Sequence, residues 1–283
     1  MKMTTSPARA LVAAIAVALV TVAEARAADM ALIEPAALQA TMATWVVLDA
    51  RPRSAWESGR IPGALSLSWE NYTGTDGEGI PFRILPPEEL ALRLGSMGID
   101  GITPLVIYGD ADTSWGGEGW AAWMFAWLGH EGPIRILNGG VDAWRRGGFA
   151  VTTGAPTARG RARYVPRPAP EWDIATAEIL RPRTPIILID TRSTMEWLVD
   201  AIPGAVHIEW AKFHTGDERR PLGRDALVRL LRDHGVDPRK PVVYYCRGGV
   251  RSGYAWMVHQ LAGLPDARNY EGGMEMWWKH SAR

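Results

Sequence analysis

Apolar and polar positions alternate along this chain in two rhythms. Short runs of β-branched and aromatic residues give way to stretches in which apolar residues recur every three or four positions. Val242, Val243, Tyr244 and Tyr245 predict a short buried strand, and the spacing of SGYAWMVHQL predicts a helix over residues 252–261. Residues 87–100 and 223–237 each carry one apolar stripe and predict amphipathic helices. Trp120, Trp123 and Trp127 stand at helical spacing and are read as core. Strands that alternate with helices in this way imply an α/β fold, a parallel β-sheet flanked by helices on both sides.

The whole pattern occurs twice. WVVLDARPRSAWESGRIPGALSLSW over residues 45–69 matches IILIDTRSTMEWLVDAIPGAVHIEW over residues 186–210 without a gap. Asp49 falls on Asp190, Arg51 on Arg192, Pro62-Gly63 on Pro203-Gly204 and Trp69 on Trp210. LVIYGD over 105–110 then matches VVYYC over 242–246, which sets Asp110 opposite Cys246, and IRILNGGVDAW over 134–144 matches ARNYEGGMEMW over 267–277. A period of about 140 residues is far longer than a solenoid unit, so the repeat predicts two domains, residues 28–147 and 173–283. Residues 148–172 between them are rich in Gly, Pro and Arg without apolar period, and read as a linker.

Residues 1–27 read as a cleavable signal peptide. Lys2 and Arg9 precede an apolar run over 10–23 that is short for a bilayer span, and Ala25 and Ala27 suit a cut after Ala27. The expectation is a periplasmic or secreted protein with no membrane attachment after cleavage. The 31 basic and 31 acidic residues give no net charge, and neither sign forms a long run. That excludes nucleic acid as the expected partner. No histidine spacing fits a metal, and no metal or organic cofactor is expected; a monomer is.

Cys246 is the only cysteine, and an exported chain that leaves one thiol unpaired points to a reactive one. It stands where a strand ends and a helix begins, between Arg247 and Arg251, where the helix N-terminus and both guanidinium groups favour a thiolate. Gly248 and Gly249 let the backbone curl so that N–H groups converge into an anion nest. The N–H groups from Arg247 through Gly248, Gly249, Val250 and Arg251 to Ser252 are the expected binding elements for an anionic substrate, with the two arginines gripping its charged end. Asp190 and Arg192 are expected to brace the turn as a buried ion pair. Trp69, Tyr72, Trp115 and Trp210 are candidates for the cleft between the domains.

These motifs, in this order and duplicated, resemble the tandem rhodanese family of sulfurtransferases over almost the whole mature chain. The resemblance implies two rhodanese-like domains, the second catalytic and the first without its cysteine. It also implies chemistry in two steps. The thiolate takes the outer sulfur of a donor such as thiosulfate or 3-mercaptopyruvate as a persulfide, and a thiol or cyanide acceptor removes it.

Two alternatives remain beside the enzyme. One is a persulfide carrier or protein-interaction module with little turnover. The other, more distant, is a cysteine phosphatase, whose Cys-to-Arg spacing is longer than the Arg247, Gly248, Gly249, Val250 found here. The loop also departs from family patterns. It has Arg247 as in Cys-Arg-Lys-Gly-Val-Thr of thiosulfate-preferring members, but lacks the lysine and replaces the threonine with Arg251. Glu196 stands where the best-known members carry a second arginine. Arg247 tilts the expected donor toward thiosulfate, because a small dianion gains more from close positive charge.

Overall fold

The computed structural model describes residues 29–110, 113–155 and 159–281, so the signal peptide expected over 1–27 lies outside the described residues. Among the described residues no helix is long and apolar enough to cross a membrane. Two sheets form the frame. The first runs Met30–Ile33, Ile134–Leu137, Leu105–Tyr108, Val46–Asp49, Leu65–Ser66, and the second Ala267–Tyr270, Val242–Tyr245, Ile187–Asp190, Val206–His207. Every neighbouring pair in both is parallel. VVLD, LVIY and VVYY are buried at every position, since helices cover both faces and leave no side for a polar alternation.

The register carries the repeat into three dimensions and corrects one part of it. Tyr108 pairs with Asp49 and Tyr245 with Asp190. The two tyrosine hydroxyls accept from equivalent backbone N–H groups, Ile61 and Ile202, each at 3.2 Å. The residue that follows is Gly109 in the first domain and Cys246 in the second. Their carbonyls accept from Val141 and Met274 at 3.0 and 2.9 Å. Gly109, not Asp110, therefore occupies the place of the cysteine. The next helix is capped by a left-handed glycine in both domains, Gly116 and Gly249, but the first domain reaches it through a longer loop. The difference in loop length shifts the gapless correspondence of the two halves by one residue here. Asp110 instead accepts from the N–H and hydroxyl of Thr113 at 2.9 and 2.6 Å, which closes that loop.

The helices that follow these turns, Gly117–Trp127 and Val250–Leu261, pack on each other and join the domains. The second starts two residues before the expected Ser252. Gly119 and Gly253 form the crossing: a Cβ on Gly119 would lie 2.3 Å from Tyr254 Cα, and one on Gly253 would lie 2.9 Å from Trp120 Cα. Trp120 and Trp123 on one helix and Tyr254 and Trp256 on the other belong to a single buried cluster that spans both domains. The segment read as a linker runs along the first domain, with Ala162 N–H on Gly95 O and Ala169 N–H on Trp127 O at 2.9 and 2.7 Å. It ends at a short turn, Pro170–Trp172, where the Trp172 ring meets Trp256 edge-on at 5.4 Å.

Candidate functional site

Cys246 follows the central strand Val242–Tyr245 and lies at the floor of a cavity of about 400 Å³, the residue 1% exposed. The turn that carries it is set by contacts too close for side chains. Gly249 has φ +80, and a Cβ there would lie 2.8 Å from the Glu271 carbonyl oxygen. Gly273, at φ +52, passes under the turn, where a Cβ would lie 2.5 Å from both the Cys246 and Arg247 carbonyls. Those carbonyls accept from Met274 and Glu275, N–H groups in the first turn of the Gly273–Ser281 helix. Asn269 Nδ2 adds a bond to Gly249 O at 3.1 Å.

The Val250–Leu261 helix starts beside the thiol. Its first N–H groups have no acceptor within the helix, so that end offers a partial positive charge. Ser252 Oγ donates to Cys246 Sγ at 3.4 Å. Arg251 is the charged neighbour. Burial pulls its guanidinium down, but the hydrogen bonds it donates to Glu196, with the nearby Cys246 sulfur and the Glu196 carboxylate, outweigh burial and push it higher. Nη1 and Nη2 of Arg251 hold the two oxygens of Glu196 at 2.6 and 2.8 Å. That pair holds the Glu196 carboxyl at about 2, well below the ordinary carboxylate range. Glu196 also closes a capping box with Ser193 at the start of the Thr194–Val199 helix.

The expected binding residues therefore part company. Gly248, Val250 and Arg251 line the cavity, Ser252 touches the sulfur, and Gly249 shapes the turn without lining it. Arg247 lines the cavity edge, but its side chain is 56% exposed and its Nε bonds Glu275 at 2.6 Å. Asp190 and Arg192 lie behind the turn: Arg192 Nε and Nη2 hold the Asp190 oxygens at 3.0 and 2.6 Å, both side chains buried. Asp49 and Arg51 repeat the arrangement at 2.9 and 2.6 Å. Thr191, which the sequence did not single out, fixes the Tyr245 carbonyl just before the cysteine with its N–H and its hydroxyl, both at 2.9 Å.

The other wall comes from the first domain. Trp69 and Trp115 line the cavity as candidates should, whereas Tyr72 and Trp210 are buried in the core. Phe82 was missed. It lies in a loop with no periodic signal, and reaches the site only because the domains pack together; its Cβ is so close to Gly248 that a Cβ there would lie 2.5 Å away. Among the described residues no histidine lines the cavity around the sulfur. His259, for example, bonds Tyr244 and the Pro265 carbonyl at 2.9 Å each, and burial pushes it down to about 4. Among the described residues no cluster of His, Cys, Asp or Glu could hold a metal ion.

At the position equivalent to Cys246 in the first domain, the Glu118 carboxylate crowds Gly109 and accepts from Ser114 Oγ at 2.9 Å. Burial pushes Glu118 up to about 7.

Comparison with known proteins finds the chain similar to sulfur-handling proteins. The rhodanese-like domain profile matches residues 34–146 and 175–280. The chain is 28% identical over 244 residues to the sulfur carrier protein TtuD of Thermus thermophilus, covering 78% of this chain and 83% of that one. It is 31% identical over 246 residues to the putative thiosulfate sulfurtransferase SseA of Mycobacterium tuberculosis, 78% of each chain. It is 29% identical over 238 residues to a probable 3-mercaptopyruvate sulfurtransferase of Pseudomonas aeruginosa, 78% and 82% of the two chains. Among solved structures, the anaerobic ergothioneine biosynthesis enzyme of Chlorobium limicola superposes with a TM-score of 0.76 at 24% identity, over 88% of this chain and 68% of that one, and shares the fold.

Proposed function

The chain belongs to the rhodanese family of sulfurtransferases, and from that premise we propose that Cys246 is its nucleophile and carries sulfur as a persulfide. The observation that supports this reading most directly is the cysteine at the cavity floor, with the Ser252 hydroxyl on its sulfur and the Arg251 guanidinium beside it. The thiolate attacks the outer sulfur of the donor; a new S–S bond forms, and the donor's bond to that sulfur breaks. With thiosulfate the electron pair leaves on sulfite. With 3-mercaptopyruvate the C–S bond breaks and the thiol proton ends on the methyl of pyruvate. An acceptor thiolate or cyanide then takes the outer sulfur, and Cys246 leaves as thiolate. The negative charge on the persulfide is met by Arg251, Ser252 and the helix N-terminus. Asp190 and Arg192 support the turn from behind.

Purified protein should form thiocyanate from cyanide with thiosulfate or 3-mercaptopyruvate, and Cys246→Ser should abolish it. Activity with neither donor, or full activity in the variant, would sink the reading. The expectation of thiosulfate rests on Arg247, whose Nε is bonded to Glu275 at the cavity edge. The carrier reading keeps one point in its favour, the similarity to a protein named as a sulfur carrier. Intact mass separates the two: a gain of about 32 Da, one sulfur, that persists after cyanide is added favours the carrier. The N-terminal apolar run supports export, which fractionation of the expressed full chain tests.

A further inference from the structure

The cavity above Cys246 has two features that a small inorganic dianion does not need. The first is charge. Arg251 lies beside the sulfur, but its two terminal nitrogens are taken by Glu196, and Glu196 itself lines the cavity. The fork that would grip a dianion bidentately is occupied. Arg247 is likewise paired, with Glu275. A donor's second negative charge would be repelled by Glu196 at close range as Arg251 attracts it.

The second feature is the wall. Trp69, Phe82 and Trp115 face the cysteine loop from the other domain, with Trp69 and Phe82 edge to face at 6.1 Å. Phe82 and Trp115 both hold left-handed backbone, φ +62 and +54, and among the described residues Arg219 is the only other non-glycine with positive φ. Bulky side chains take that conformation only where the surroundings impose it, and such strain concentrates at functional sites. A cavity of about 400 Å³ walled by three aromatic rings has room for a flat body as well as a sulfur.

We propose that Glu196 and the aromatic wall set donor specificity: the site takes a singly charged organic sulfane-sulfur compound with a flat or apolar body in preference to the dianion thiosulfate. This rests on Cys246 as the nucleophile. With an aryl thiosulfonate, the Cys246 thiolate bonds to the terminal sulfur, the bond from that sulfur to the sulfonyl sulfur breaks, and the pair leaves on the aryl sulfinate. One negative charge stays on the persulfide and one on the leaving group. The ring lies against Trp69, Phe82 and Trp115, and the single charge meets a site whose own charges are already balanced.

The test compares kcat/KM for benzenethiosulfonate and for thiosulfate in the wild type, Glu196→Gln and Trp115→Ala, because the change in their ratio cancels the donors' different reactivities. The glutamine amide oxygen can still accept from the Ser193 N–H that Glu196 caps at 3.1 Å, so the helix start is kept. Glu196→Gln should raise kcat/KM for thiosulfate about tenfold more than for benzenethiosulfonate, because the dianion feels the lost carboxylate charge twice over. Trp115→Ala should lower benzenethiosulfonate about tenfold more than thiosulfate. A ratio unchanged in both variants overturns the proposal. Intact mass keeps the two readings apart. If neither donor adds sulfur to wild-type Cys246, the nucleophile reading fails; if both donors load it and the ratio does not respond, only the specificity assignment fails.

Discussion

Gly249 shows how much of the cysteine turn depends on a single missing Cβ. Two costs meet there: the left-handed φ of +80, and the Glu271 carbonyl oxygen at 2.8 Å from the position a Cβ would take. Gly204, in the Pro203-Gly204 turn, has nearly the same φ of +81 but nothing within 4 Å. It isolates the first cost from the second. Gly204→Ala should lose about 1 kcal/mol, the price of the backbone alone, whereas Gly249→Ala should lose about 2–3 kcal/mol and slow persulfide formation as well. Urea denaturation of both variants, with the rate of mass gain on donor addition, checks the pair. Equal losses would mean that the Glu271 contact is not what demands glycine. The sequence offered Gly248 and Gly249 as joint makers of an anion nest, and the structure divides the work: Gly249 turns the chain, while Gly248 admits Phe82. A glycine's spelling is the same in both cases, so only the neighbour reveals which need it serves.

At the scale of elements, the joint between domains is a helix pair whose closest point has no side chains. Gly253 approaches Trp120 backbone so closely that an added Cβ would lie 2.9 Å from Trp120 Cα and 3.2 Å from Trp120 N. Replacement with alanine gains about 1 kcal/mol in helix propensity but overpacks a fully buried contact, which costs about 1–3 kcal/mol. Backbone cannot swing aside as a flexible side chain can, so overpacking should win. The expected outcome for Gly253→Ala is a lower urea midpoint without a changed slope; a rise in the midpoint would show that the helices separate freely. The elements themselves were legible in the sequence, because apolar runs and stripes are read directly from period. Their faces were not. Ten of the 11 residues in Gly117–Trp127 are buried, since its outer side meets the other domain. A helix buried all round shows little of the one-sided stripe that identifies a surface helix. The placement of Asp110 failed for a related reason: matching aligns letters, whereas Gly109 is identified by the carbonyl it offers to Val141.

At the scale of the whole molecule, the candidate site is a joint product of two domains that the repeat made look independent. Its C-terminal half was legible, because the cysteine and its turn are contiguous in sequence. Its N-terminal half was legible only in part: the sequence offered Trp69 and Trp115 but not Phe82, because nothing local marks which loop an opposite domain will meet. What holds the Phe82 loop in place is a clamp. Arg83 ion-pairs with Glu271, and the Ile84 N–H donates to the other oxygen of Glu271 at 2.6 Å. Glu271 belongs to the same segment that crowds Gly249, so the clamp links the aromatic wall to the cysteine turn. Full burial pushes the Glu271 carboxyl up to about 7, against the pull of Arg83 and with the help of nearby Asp173, whose own carboxyl burial also raises; Asp76 adds to the push. An acid with a raised folded value keeps its proton in the native state after the unfolded chain has released it, at about 4.5 for an ordinary glutamate. Between those two values the unfolded state binds fewer protons, so this group's contribution to stability is fully present below about 4.5 and is lost as pH rises toward 7. Glu271→Gln, which keeps an oxygen for the Ile84 N–H and does not titrate, should remove that part of the slope. Urea midpoints at pH 5 and pH 7.5 for wild type and variant give the answer as a difference of differences, which cancels the shared contribution of Glu118, also raised to about 7. Wild type should lose more stability than Glu271→Gln over that interval, and equal losses would show that the clamp is ionised throughout it.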